Sequence, residues 1–129
     1  MGLSLFDESY PLTFGNQIVP ADALGSKAAT STESISRRID AITVSNTDTI
    51  AHVMQLRQVI GGTTRLIGSA TIPIGAGIGG APTVDLLALC QPATQTNLLL
   101  LPGDSLTVVL EVALNAGKAI DLVTRGGFV

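Results

Sequence analysis

The 129 residues predict an all-β fold, an antiparallel β-sandwich or jelly roll preceded by an extended N-terminal arm. Three observations lead there. Leu106, Val108, Leu110, Val112 and Leu114 recur at every second position with Thr107 and Glu111 between them, the period of a strand with one buried face. Clusters of turn formers, Ser45-Asn46-Thr47-Asp48-Thr49, Gly61-Gly62, Pro102-Gly103-Asp104 and Asn115-Ala-Gly-Lys118, cut the chain into short runs. After Gly80 no long apolar pattern of helical period occurs.

Residues 1–36 read as an arm and linker: Phe6, Tyr10 and Phe14, with Pro11 among them, are most of the aromatics, Pro20 and Gly25 punctuate the middle, and Ser26 to Ser34 is polar. Aromatics at one end of a hydroxyl-rich linker suit an arm that anchors on a surface outside its own domain, and its removal is expected to leave the rest folded. Residues 37–129 form the sandwich domain. Ile39 to Ser45 is its first strand. Ile50 to Ile60 is the second, with Ile50, Met54, Leu56 and Ile60 on one face and Gln55 and Arg57 on the other. Arg65 to Ile74 is the third, and Pro73 suggests that it ends at a sheet edge. Val84 to Cys90 fits either a strand or a single helical turn. Leu98 to Leu101 leads into a Pro-Gly-Asp turn, the alternating strand from Leu106 comes next, and a return strand covers Ala119 to Arg125.

Composition bounds the function. Hydrophobic residues make up 46% of the chain and charged residues only 13%. A free soluble monomer usually carries about 25% charged residues, so apolar surface is expected to be covered by neighbouring subunits. The net charge of −3 falls wholly on the first 36 residues; the remainder is neutral. A sequence pI near 4.8 and one basic doublet, Arg37-Arg38, argue against nucleic-acid binding, which needs clustered cations. A solvated strand or an interface ion pair accounts for the doublet. No apolar run approaches the length that crosses a bilayer, and the N-terminus lacks the basic and apolar regions of a secretory signal, so synthesis in a cytoplasm is expected, with retention there or release by lysis.

The segment Gly75-Ala-Gly-Ile-Gly-Gly80 matches the G-x-G-x-x-G spacing that cradles a dinucleotide pyrophosphate. That chemistry also needs a helix directly after the glycines and repeated strand–helix–strand units, and neither pattern is present. A glycine-rich corner at an interface, with Gly77 and Ile78 as contact residues, is the expected role. The single Cys90 lies in the apolar run LLALC and reads as a small hydrophobe. The single His52 has no evident nucleophile to serve, and no clustered ligands for a metal are visible. Asp40, Asp85, Asp104, Glu111 and Asp121 supply carboxylates for an enzyme, but turns and solvated strand positions explain each of them. No cofactor, metal or catalytic residue is expected. An adhesive or receptor-binding module would expose aromatic or polar loops, whereas the longest loop here is glycine and alanine.

The order of three pieces, RRIDAITVSNTD, then LIGSATIPIGAGIGG with PTVDLL, then LLLLPGDSLTVVLEVALNAGKAIDLVTRGG, resembles small β-sandwich virion proteins of tailed bacteriophages. The likeness spans about Arg37 to Gly127 and leaves the arm out. It implies a decoration or cement protein on the outer capsid surface, with the major capsid protein and further copies of itself as partners, a trimer favoured over a dimer. It also allows a neck, tail or spike-base component. Partner contacts are expected at Phe6, Tyr10, Phe14, Arg37, Arg38, Gly77 and Ile78, with no nucleic acid and no membrane involved.

Overall fold

The computed structural model describes residues 11–129, in which nine strands and one short helix build two packed antiparallel sheets. The strands are β1 (Pro11–Ile18), β2 (Lys27–Ala28), β3 (Arg37–Asn46), β4 (His52–Ile60), β5 (Thr63–Ile72), β6 (Val84–Asp85), β7 (Leu98–Leu100), β8 (Ser105–Leu110) and β9 (Ile120–Phe128). One sheet runs β1-β9-β3-β6, with β7 also on β3; the other runs β2-β8-β4-β5. Taking β6 and β7 as one interrupted strand gives eight strands in two interleaved four-stranded layers, the connectivity of a jelly roll. The expected all-β sandwich is thus the observed one.

Alternation builds the core. Ile39, Ile42, Val44, Ile120 and Leu122 point inward from the first sheet, and Met54, Leu56, Leu106, Val108, Leu110 and Ile72 meet them from the second. Two bulges interrupt the period. One falls between Ile39 and Ala41 on β3, opposite Gly126, where a Cβ would sit 1.8 Å from the Arg38 carbonyl oxygen. The other lies across Leu56 and Arg57, where Ile67 is the extra residue on β5.

The domain boundary moves. Pro11 to Ile18 pairs residue for residue with β9, Leu12 and Ile18 are buried, and Ala29 and Thr30 lie in the interior. Residues 11–36 therefore belong to the sandwich and do not form a free arm. The physical reason is the inward row Leu12, Phe14, Asn16 and Ile18, in which Asn16 turns its amide onto the Ala28 carbonyl at 2.9 Å. Pro20 and Gly25 mark the corner between β1 and β2, a single 3-10 turn at Pro20–Asp22, and not a linker. Deletion through Ser34 would remove a sheet edge along with its core residues. Phe6 and Tyr10 lie outside the described residues.

Hydrogen bonding brings smaller corrections. The strand expected from Ile50 begins at His52, leaving Ile50 exposed in a loop and putting His52 on the inward row with Met54 and Leu56. Ile60, expected on that buried face, is exposed at the strand end. The strand expected to reach Leu114 ends at Leu110. There the chain bends so that the Val112 carbonyl meets His52, which leaves the Val112 side chain exposed. Val84 to Cys90 divides into β6 and a five-residue helix α1 (Leu86–Cys90), because the Asp85 carboxylate accepts from the Leu87 N–H at 3.1 Å and closes the strand. The same oxygen takes the Ile42 N–H at 3.0 Å, fixing α1 against the β3 bulge.

Candidate interaction surface

Loops 19–26, 47–51, 73–83 and 111–119 gather at one end of the sandwich, here termed the crown. Two side chains tie three of them together. Asn46, at the end of β3 and fully buried, donates through its amide to the carbonyls of Ile50 at 3.1 Å and Pro73 at 3.2 Å, while its oxygen accepts the Asp48 N–H at 2.9 Å. Asp48 does the rest. Its Oδ1 accepts from the Thr49 N–H at 2.6 Å and the Asn115 Nδ2 at 2.8 Å; its Oδ2 accepts from the Asn115 N–H at 3.1 Å and meets His52 Nε2 at 2.7 Å.

The Asp48 and His52 side chains are both 0% exposed. Burial works against the charge on Asp48, but hydrogen bonds from His52, Asn115 and Thr49 outweigh it and hold the carboxyl well below its ordinary range. His52 Nδ1 faces the Val112 carbonyl at 3.0 Å. The ring is thus held from both sides, by the Asp48 carboxylate and the Val112 carbonyl. His52 therefore serves as a buried brace between β4 and the 111–119 loop. Nothing in its position serves a nucleophile.

The glycine corner sits on this base. Ala76 is buried beneath it and accepts the Asn46 N–H at 2.9 Å. The N–H groups of Gly77, Ile78 and Ala81 donate to the carbonyls of Pro82, Gly75 and Ile78 at 3.0, 2.9 and 3.1 Å. Donors consumed inside the loop are not available to a phosphate, and the corner leads into a two-residue strand, not a helix N-terminus. Gly77 is exposed and adopts φ +78°, and a Cβ there would lie 2.9 Å from both Ser45 Cβ and Thr83 Cγ2, so only glycine fits without a shift of the loop. Ile78 is 49% exposed at the tip. Leu24, Ile50, Ile74 and Val112 are also exposed on the crown loops.

The other expected contacts separate. Arg37 is fully buried at the opposite end, donating to the carbonyls of Ser31 at 2.9 Å and of Asp104, so it is a structural clamp and not a partner residue. It shares the inward row with Ile39, two residues on, which is the sequence signal for its burial. Desolvation pulls its pKa down, against the opposing charges of Glu33 and Asp104. Arg38 points outward and pairs with Asp40 at 2.8 Å, as expected of an exposed strand position. Phe14 is half-buried on the inner face of β1, anchored in its own sheet.

The carboxylates are occupied. Asp40 and Asp85 border a cleft of about 270 Å³ with Gln95 and Thr96, yet Asp40 is held by Arg38 and Asp85 by backbone N–H groups. Asp121 accepts from Gln17 Nε2 at 2.9 Å, Glu111 from Gln55 Nε2 at 3.3 Å, and Asp104 from the Gly61 N–H at 3.4 Å. Burial raises the Cys90 thiol pKa, which disfavours the thiolate. Among the described residues no group of three or more His, Cys, Asp or Glu is placed to hold a metal, and no helix is long and apolar enough to cross a membrane.

Comparisons with known proteins add little to this geometry. No family profile matches the chain, and no curated protein does. Among solved structures it is similar to the nucleoplasmin-like N-terminal domain of Drosophila FKBP39, at 12% identity and a TM-score of 0.43, with 94% of this chain and 93% of that one covered.

Proposed function

We propose that this chain is a structural protein of a tailed-bacteriophage particle: a decoration or cement protein that sits on the outer surface of the head, binds the major capsid protein and further copies of itself, and performs no catalysis. The observation that carries this reading is the crown. Exposed Leu24, Ile50, Ile74, Ile78 and Val112 stand on loops whose polar groups are engaged in bracing one another. A rigid aliphatic surface of this kind is suited to protein contact, and it offers little to orient a small polar substrate. Binding that favours the assembled shell over a broken one stabilises it by linkage, with no chemistry needed.

The reading is tested by the copy number of this chain relative to the major shell protein in purified virions, measured by quantitative mass spectrometry. A ratio of the same order as the shell protein is the expected result. A handful of copies per particle would favour a neck, tail or spike-base position, and absence from particles would overturn the virion assignment. Attachment to capsids lacking the protein should also weaken at least tenfold in Ile78→Asp, whose side chain is exposed and outside the core.

A further inference from the structure

The two sheets present four outer edges, and they are not equally protected. The β2, β6 and β7 edges are two or three residues long. The β1 edge opens with Pro11, which has no N–H, and Asn16 uses its side chain to accept the Gln17 N–H and to reach Ala28. β5 is different: it runs ten residues, and among the described residues it pairs with β4 alone. Its sequence, TTRLIGSATI, has one charge and no proline, where open edges are usually blunted by lysines, prolines or a covering loop. Leu66 on β5 is 61% exposed, and Leu89 on α1 is 54% exposed. α1 closes the same side of the sandwich: a Cβ on Gly68 of β5 would lie 2.8 Å from the Cys90 carbonyl oxygen.

We propose that β5 and α1 form a self-association surface on which two copies of this chain pair β5 to β5 antiparallel about a two-fold axis, merging their four-stranded sheets into one. The bulge makes this possible. Leu66, Ser69, Thr64 and Thr71 face outward because they oppose the outward Arg57, Gln55, Val59 and Val53 of β4. Ile67 packs inward as the extra residue beside the inward-facing Gly68, so the in-and-out pattern of β5 reads the same in both directions about the Ile67–Gly68 bond. A two-fold axis there sets Leu66 against Ser69, Thr64 against Thr71 and Arg65 against Ala70 of the second copy, each pair on one face. The strand's only charge then stands five residues from its own image. At about 3.4 Å per residue that is roughly 17 Å, beyond the screening length in physiological salt, so no like-charge penalty opposes the pairing.

The size is adequate. Ten residues at about 3.4 Å and two sheets about 10 Å apart, with their side chains, give a face of roughly 700 Å² per copy, close to the roughly 800 Å² that each partner of a specific interface buries. Such a dimer departs from the trimer expected from the sequence, and its formation does not depend on whether the protein belongs to a virion.

Light scattering on the gel-filtered full chain, across a hundredfold range of concentration, tests it. The expected mass is twice the 13.2 kDa of one chain. Leu66→Asp combined with Leu89→Asp should halve that mass with an unchanged circular dichroism spectrum, while Ile78→Asp on the crown should leave it unaltered. Hydrogen exchange on the unmodified protein gives a second readout independent of the variants' folding: the outer amides of Thr63–Ile72 should lose protection on dilution. A monomer at every concentration, a trimer, or a dimer that survives the double substitution would each overturn the proposal.

Discussion

The two ends of the sandwich each close over a buried charge, and they do so in opposite ways. At the crown the charge is an anion met by hydrogen-bonding groups: Asp48 receives His52, Asn115 and Thr49 within 3.1 Å. At the far end Arg37 has, among the described residues, only the carbonyls of Ser31 and Asp104 as hydrogen-bond partners and none at its Nε, and the charges of Glu33 and Asp104 act on it through space. Both arrangements tie loops distant in sequence. The crown depends on a pair whose halves need each other, whereas the far end depends on a long side chain that also fills space with its stem. Removing one member of a buried pair strands the other, while replacing a lone buried cation by an apolar chain of similar length relieves a desolvation cost.

Substitution should expose this asymmetry. His52→Leu leaves the Asp48 carboxylate buried without the imidazole that meets it at 2.7 Å, and the melting temperature should fall on the order of 10 °C or more. Arg37→Met forfeits two hydrogen bonds to carbonyls but keeps the packing, and should cost only a few degrees. Differential scanning calorimetry of the two variants decides the matter. Equal losses would mean that the far end relies on the guanidinium charge as heavily as the crown relies on its pair.

Acid should separate the ends without mutation. Asp48 is held below its ordinary value, and so is Asp22, through the Val19 N–H and Lys27; both lie in crown loops. A carboxyl whose folded pKa is depressed contributes stability above its unfolded value, near 4, and that contribution drains away as pH falls below it. Arg37 keeps its charge throughout this range. Hydrogen exchange between pH 5 and pH 2 should therefore show the amides of Thr49 and Asn115 losing protection before those of Leu106 and Gly103, which bond to Thr30 Oγ1 and the Glu33 carbonyl at the far end. Earlier loss at the far end would show that the crown carboxylates do not govern acid sensitivity.

How much of the molecule is legible in its sequence depends on the range of each interaction. The alternation at Leu106, Val108 and Leu110 is a local signal, and it survives intact as the inward row of β8. The aspartate before Leu86-Leu87-Ala88-Leu89-Cys90 is also a local cue, a cap that decides between strand and helix once it is recognised as one. β1 is hidden because Asn16 interrupts its apolar row and because the proline and glycine beyond it suit a corner as well as a linker. Arg37 and His52 are legible by parity alone, each two residues from an inward aliphatic, but a buried charge is accepted only once its partner is known. One partner of Asp48, His52, is four residues away, but another lies 67 residues away at Asn115, and nothing local announces that one. The same holds for β5 having β4 as its one strand neighbour among the described residues, which depends on strand order rather than on the strand.

The smallest effect sharpens the comparison within the crown itself. Gly77 and Gly79 flank the exposed Ile78, and both take positive φ, at +78° and +60°. Alanine at either position bears the cost of the left-handed backbone, about 1–2 kcal/mol. At Gly79 nothing lies within 4 Å of the new Cβ, so that cost is the whole of it. At Gly77 the methyl also meets Ser45 Cβ and Thr83 Cγ2 at 2.9 Å, and the loop must lift from β3 to admit it. Lifting the loop also strains the bond between the Asn46 N–H and the Ala76 carbonyl, on which the corner is seated. Gly77→Ala should therefore melt a few degrees below Gly79→Ala and alone should speed exchange of the Asn46 amide. If the two variants match in both respects, the corner is an autonomous turn and Ile78 stands on a hinge; if they differ as expected, Ile78 is presented by a surface as fixed as the core beneath it.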